Sequence, residues 1–144
     1  KGKGGDNQGL GQVKTEAQEA GVDEITQFID PVPQQELIDL YHHHDVLILP
    51  SYNEAIGMVV PEAMACGLPT ITSDTVGANV YVDSGETGYI FQTGNISDLA
   101  DKLRECFDAT QLEQMGARAS KHIHTKYTAQ KSVDRFIQIT KQKE

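Results

Sequence analysis

Residues 46–74 read VLILPSYNEAIGMVVPEAMACGLPTITSD, and this stretch decides the fold class. Residues 46–49 are an uncharged β-branched and leucine run of the kind found in buried strands, and Pro50 stops it. The pattern predicts a helix over 58–66, closed by Gly67 and Pro69. Pro61 fits inside that helix because the first four N–H groups of a helix have no internal partner, so a proline there loses no bond. A second strand follows at 70–72. Strand, helix and strand joined by short links imply an open, mostly parallel sheet covered on both faces.

The same stretch carries the candidate chemistry. From Ala55 to Ser73 the only charged side chain is Glu62, on a helix otherwise built from Met58, Val59, Val60, Ala63, Met64, Ala65 and Cys66. A helix that is apolar nearly all round is wedged into a core. An unpaired carboxylate there costs several kcal/mol, so Glu62 either has an internal partner or faces an opening that a ligand fills. A carboxylate accepts two parallel hydrogen bonds, which suits a vicinal diol such as the ribose 2′,3′-pair. Glu54 lies in the loop after the first strand, at the strand end where such sheets bind ligands. The N–H groups of Gly57, Met58 and Val59 are expected to be free for an anion at the helix start. Gly57 would let a phosphate or sugar approach the backbone. Together these parts would grip a sugar nucleotide: ribose on Glu62, sugar hydroxyls on Glu54, diphosphate near the helix start.

Outside this stretch, the pattern predicts a helix over 9–20 with Leu10, Val13, Ala17 and Ala20 as its stripe, ended by Gly21. A short strand is expected at 25–29, closed by Asp30-Pro31-Val32-Pro33. A helix over 34–44 follows, with Leu37, Leu40 and Tyr41 on one side. A strand is expected at 89–92, entered through the turn at 83–88. Ser97 is expected to cap a helix running to about Asp108, with further helices around 111–126 and 129–143. The loops 30–33, 50–57 and 73–79 then gather at the ligand edge.

Composition narrows the function. The 144 residues, 15.8 kDa, amount to one domain with room for a real core. A net charge of −9 and a pI near 4.9 disfavour nucleic-acid binding and docking on anionic lipid through this chain. No apolar run approaches the roughly 18 residues a membrane span needs. Cys66 and Cys106 are too few for a disulfide scaffold and lack zinc-finger spacing, so a reducing cytoplasm fits best. Starting at Lys1 with the glycine-rich KGKGGDNQG, the chain reads as a piece of a longer protein.

Several spaced motifs now agree in order. Glu54 and Glu62 form E-x7-E with Gly57 between, followed by E-A-M-A-C-G-L-P. Around them stand FIDPVPQQELIDLYHHHDVLILPSYNE, the turn GETGYIF and the cap NISDLADKL. Over residues 21–125 the chain resembles the C-terminal, donor-binding domain of the family 4 (group 1) glycosyltransferases of the GT-B fold. The resemblance implies a Rossmann-like three-layer α/β/α domain with a mostly parallel sheet. Residues 1–144 would be a single, truncated nucleotide-sugar-binding domain, with 127–144 a helical extension and the acceptor domain absent.

The resemblance also implies a retaining transferase that moves a hexose from a nucleotide-diphosphate sugar to a glycan or lipid-linked acceptor, as in cell-surface polysaccharide or lipopolysaccharide synthesis. Glu62 would bind ribose and Glu54, the catalytic candidate, would lie at the donor sugar. Gly57, Met58 and Val59 would lie at sugar and phosphates, and Pro31 and Val32 would flank the base. No metal or other cofactor is implied. The full-length protein would be cytoplasmic, bind no nucleic acid and associate peripherally with membrane, and this chain alone would be inactive. The family's basic diphosphate-binding pair belongs to a strand–helix unit upstream of this sequence. The loop after Asp74 departs from the family, with Ala78 and Val80 or Tyr81 where relatives carry two glycines and then a glutamate.

Plainer readings stand beside these. Glu54 and Glu62 can be a surface carboxylate and a helix-dipole charge. A non-catalytic nucleotide-binding or interaction module of the same fold is the alternative function. A dehydrogenase-type dinucleotide fold needs G-x-G-x-x-G after a strand, which KGKGGD does not supply. Gly2, Gly4 and Gly5 can begin a phosphate-binding turn, for which the required upstream strand is not seen, or form a flexible terminus. His42-His43-His44 point in different directions on a helix and read as a polar helix end rather than a metal site. Met58 and Met64 read as core packing, Cys66 as an inert core thiol, and His122 and His124 as residues of a polar helix without a visible partner.

Overall fold

The structure, a computed structural model, describes residues 7–107, 109–128 and 130–131. The chain divides into two units, residues 1–33 and 34–144.

In the first unit, helix α1 spans Asn7–Glu19. It closes with Gly21 N–H on the Gln18 carbonyl (3.0 Å) and Val22 N–H on the Ala17 carbonyl (2.9 Å), which satisfies two carbonyls the helix leaves open. The expected strand at 25–29 is not formed: a 3-10 helix occupies Asp23–Ile25 and irregular backbone follows. A strand exists by its ladder of bonds to a neighbour, and none pairs with this segment among the described residues. Gly2, Gly4 and Gly5 lie outside the described residues.

The second unit holds the sheet. Helix α2 spans Gln34–His42 and strand β1 Leu47–Leu49. Helix α3 spans Val59–Ala65 and strand β2 Thr70–Ser73. A 3-10 helix at Gly77–Tyr81 precedes strand β3, Gly88–Phe91. Helices α4, Ile96–Cys106, and α5, Ala109–Lys126, complete it. The expected helix at 129–143 lies almost wholly outside the described residues.

The strands run in the order β1-β2-β3, all parallel, with Leu47 opposite Thr70 and Thr70 opposite Gly88. Every residue of β2 is buried, as a central strand covered on both faces must be. On one face Val60 and Met64 of α3 pack with Val76, Ala78 and Val82 and with Ala119 and Ile123 of α5. On the other, Ile71, Tyr89 and Phe91 pack with Cys106 of α4 and Met115 of α5. This is the three-layer α/β arrangement the sequence implies.

One helix end differs from expectation and one agrees with it. Helix α4 is capped by Asn95, not Ser97: the Asn95 Oδ1 accepts the Asp98 N–H at 3.0 Å. Helix α3 closes as read, with Gly67 N–H on the Met64 carbonyl and Leu68 N–H on the Ala63 carbonyl, both 3.0 Å. Among the described residues no helix is long and apolar enough to cross a membrane.

Candidate functional site

At the carboxyl end of the sheet, polar groups of β2 tie three loops together. The Ser73 hydroxyl donates to the Ser51 carbonyl, and the Thr75 hydroxyl reaches the same carbonyl at 3.2 Å. The Thr72 hydroxyl donates to Asn79 Oδ1, while Asn79 Nδ2 donates to the Ser73 carbonyl at 3.0 Å. Asp74 accepts from the Thr93 hydroxyl and from the Thr93 N–H (3.0 Å). Those bonds, the side-chain one foremost, hold the Asp74 carboxyl below its ordinary pKa. The loop after Asp74 thus fastens the carboxyl edge of the sheet.

Against this scaffold a cleft of about 400 Å³ is lined by Leu49, Glu54, Ile56, Gly57, Met58, Val59 and Glu62. Five residues singled out in the sequence (Glu54, Gly57, Met58, Val59 and Glu62) are therefore brought together. Met58, read as core packing, is half exposed at the cleft wall, whereas Met64, six residues on, is buried. A step of that size moves a side chain from one helix face to the other. Pro31 and Val32 belong to the first unit, in the irregular backbone before α2.

The start of α3 differs from expectation. Gly57 N–H is not free: Glu54 Oε1 accepts it at 3.1 Å and accepts Ile56 N–H at 3.1 Å. One carboxylate oxygen thus closes the loop on itself. Gly57 sits at φ +64°, and a Cβ there would stand 3.1 Å from both Ala78 Cβ and Val76 Cγ1. Backbone conformation and space both call for glycine. Met58 and Val59 lie at the first turn, where backbone N–H groups have no intrahelical acceptor.

Glu62 is half buried, with one internal partner: the Tyr41 hydroxyl stands 3.5 Å from Glu62 Oε2. Tyr41 itself is buried. Burial first, and then the Glu62 carboxylate, push its phenol up to about 12. Cys66, half buried at the end of α3, has its thiol pushed up by burial and by Glu62. In the sequence Tyr41 shows as part of an apolar stripe and as the tyrosine of the run FIDPVPQQELIDLYHHHDVLILPSYNE, with no role of its own. The available signal was its hydroxyl, since a buried phenol seeks a polar partner.

The remaining sequence candidates resolve otherwise. His43 and His44 turn their Nδ1 atoms onto the Asp39 and Leu40 carbonyls, at 2.7 and 2.6 Å, as a polar helix end does. Among the described residues no group of three or more His, Cys, Asp or Glu could hold a metal ion. His122, read as lacking a partner, is buried and places Nδ1 3.1 Å from Asp83 Oδ2. The partner lies 39 positions upstream, out of reach of helical periodicity.

The family described as glycosyl transferases group 1 matches residues 3–122. A D-inositol 3-phosphate glycosyltransferase of Corynebacterium aurimucosum is 37% identical over 92 residues, covering 64% of this chain and 22% of that protein. The chain thus spans about a fifth of the length of that relative. Among solved structures, sucrose-phosphate synthase from Thermosynechococcus elongatus superimposes with a TM-score of 0.84 at 23% identity, covering 99% of this chain and 36% of that one. Anabaena Alr3699/HepE, in complex with UDP and glucose, does so with a TM-score of 0.78 at 20% identity, covering 94% and 36%.

Proposed function

The chain belongs to the group 1 glycosyl transferases, and from that premise we propose that it is the donor-holding part of a retaining glycosyltransferase. The substrate it would grip is a nucleotide-diphosphate hexose. The single observation that carries this reading is the convergence of Glu54 and Glu62 with the Gly57–Val59 backbone on one cleft at the carboxyl end of a parallel sheet. A structural neighbour of the same fold, Anabaena Alr3699/HepE, binds UDP and glucose.

In this reading Glu62 accepts hydrogen bonds from the ribose 2′- and 3′-hydroxyls through a half-buried carboxylate. Glu54 lies at the donor sugar. The bonds from Ile56 and Gly57 fix its Oε1, so its other oxygen is the one left for substrate. The diphosphate leaves with its charge met by the Met58 and Val59 amides at the first turn of α3 and by basic residues outside this chain. Transfer proceeds without a metal, in the cytoplasm, to a glycan or lipid-linked acceptor held by another part of the protein, and this chain alone is inactive because both reactants must share one geometry.

Calorimetric titration with UDP, GDP and ADP and their sugar conjugates tests the reading. One nucleotide is expected to bind and to lose roughly tenfold or more in affinity in Glu62→Ala, the order expected for hydrogen bonds to a charged group. Unchanged affinity in that variant would sink the ribose role.

A further inference from the structure

Tyr41 and Glu62 come from different elements, 21 positions apart, and meet beside the cleft. The Tyr41 ring is fixed in a small apolar cluster with Ala63 and Leu68, against which Leu37, Leu47 and Cys66 pack. Its hydroxyl is the polar end of an otherwise apolar contact, and a buried hydroxyl needs a partner. Glu62 supplies it: the hydroxyl donates to Oε2 at 3.5 Å. Glu62 in turn forms no ion pair with a lysine, arginine or histidine among the described residues. The carboxylate shares its cleft with Glu54, and among the described residues the Tyr41 hydroxyl is the side-chain donor that meets it.

We propose that Tyr41 is a positioning residue for nucleotide binding: its hydroxyl, seated on α2, fixes the Glu62 carboxylate in the orientation that meets the ribose diol. The proposal rests on the ribose reading of Glu62 given above. A free glutamate must immobilise several torsions when it binds, and a carboxylate already held loses less freedom. The hydroxyl occupies one of the roughly four acceptor positions of a carboxylate, which leaves room for both ribose hydroxyls. The ring packs whether or not the hydroxyl is present, so Tyr41→Phe removes the positioning and keeps the cluster.

The test is calorimetric titration of the full chain with UDP, GDP and ADP, each beside its 2′,3′-dideoxy counterpart. Wild type, Tyr41→Phe and Glu62→Ala are compared, with a thermal melt to show that each is folded. The wild type is expected to favour the ribonucleotide. Tyr41→Phe is expected to lose roughly threefold to fivefold on the ribonucleotide, as for one long hydrogen bond, and nothing on the dideoxy form. A packing role alone would weaken both forms equally, which would overturn the proposal. Unchanged ribonucleotide affinity in Tyr41→Phe, with a loss in Glu62→Ala, would overturn the positioning role and leave the ribose reading standing. A wild type that does not distinguish the two forms, or that binds none of the diphosphates, would overturn the ribose reading and the proposal with it.

Discussion

Gly77 lies so close to the backbone of Ala55 that a Cβ built on it would stand 2.0 Å from the Ala55 carbonyl oxygen. Its N–H donates to the Glu54 carbonyl at 2.8 Å, and Glu54 and Val76 form an isolated parallel bridge. The loop carrying Glu54 is therefore laid along the loop after β2, with no room between the two backbones. Because the obstructing atom is backbone, it cannot swing away as a side chain would. Gly77→Ala is expected to cost roughly 1–3 kcal/mol, as overpacking does, and to weaken nucleotide binding by displacing Glu54. Urea unfolding and a nucleotide titration check this. A wild-type midpoint in the variant would mean the two loops are not pressed together.

That contact also shows where sequence reading stops. The strand β1, helix α3 and strand β2 were legible because each is a local pattern, an apolar run or a helical stripe closed by glycine and proline. Glu62 was legible because a lone charge on an apolar helix is costly wherever the helix packs. Gly77 was not, because its necessity comes from Ala55, which only the folded chain brings near. His122 is the same case, with Asp83 as the distant partner. The expected strand at 25–29 failed for a related reason: an apolar run signals burial, but pairing requires a neighbour. Asn95 and Ser97 are both good caps two positions apart, and only the observed bond to Asp98 N–H chooses between them.

Glu54 does two things, and the two separate by substitution. Its Oε1 accepts from Ile56 and Gly57 N–H groups, a loop-closing role, while the proposed chemistry needs the carboxylate at the donor sugar. Glu54→Gln keeps an acceptor for the two amides and is expected to retain stability within about 0.5 kcal/mol. Glu54→Ala leaves both amides unpaired and is expected to cost about 1–2 kcal/mol. Transferase activity, measured in the full-length protein, should fall in both. Equal stability of the two variants would show that the side chain does not hold the loop.

Asp83 meets two side chains of α5 of unequal standing. His122 Nδ1 is 3.1 Å away and buried, whereas Lys126 Nζ is 3.6 Å away and exposed. His122 Nε2 has no partner among the described residues, so the Asp83 carboxylate beside Nδ1 is the polar group that faces this buried ring. Asp83→Ala leaves the buried Nδ1–H unpaired and is expected to cost about 1–3 kcal/mol. Lys126→Ala removes only an exposed pair and should stay within about 0.5 kcal/mol. Comparison of urea midpoints decides it, and a Lys126→Ala loss as large as that of Asp83→Ala would refute the assignment of the stronger contact to His122.

Alkaline pH offers a readout of the Tyr41–Glu62 pair that needs no ligand. Burial and the Glu62 carboxylate raise the Tyr41 phenol to about 12, against roughly 10 in an unfolded chain. The folded state thus holds this proton more tightly than the unfolded state. The sign follows: the stabilisation is complete below about pH 10 and is lost as pH rises from there towards 12. Its size is on the order of 2 kcal/mol. Tyr41→Phe has no proton to lose, so the stability gap between wild type and variant should move in the variant's favour between pH 10 and 12. Parallel urea unfolding across that window measures the gap, and phenolate absorbance should show one fewer late-titrating tyrosine in the variant, the Tyr89 phenol, also raised by burial, remaining in both. A gap that stays constant with pH would mean that the Tyr41 proton is held no more tightly in the fold than outside it.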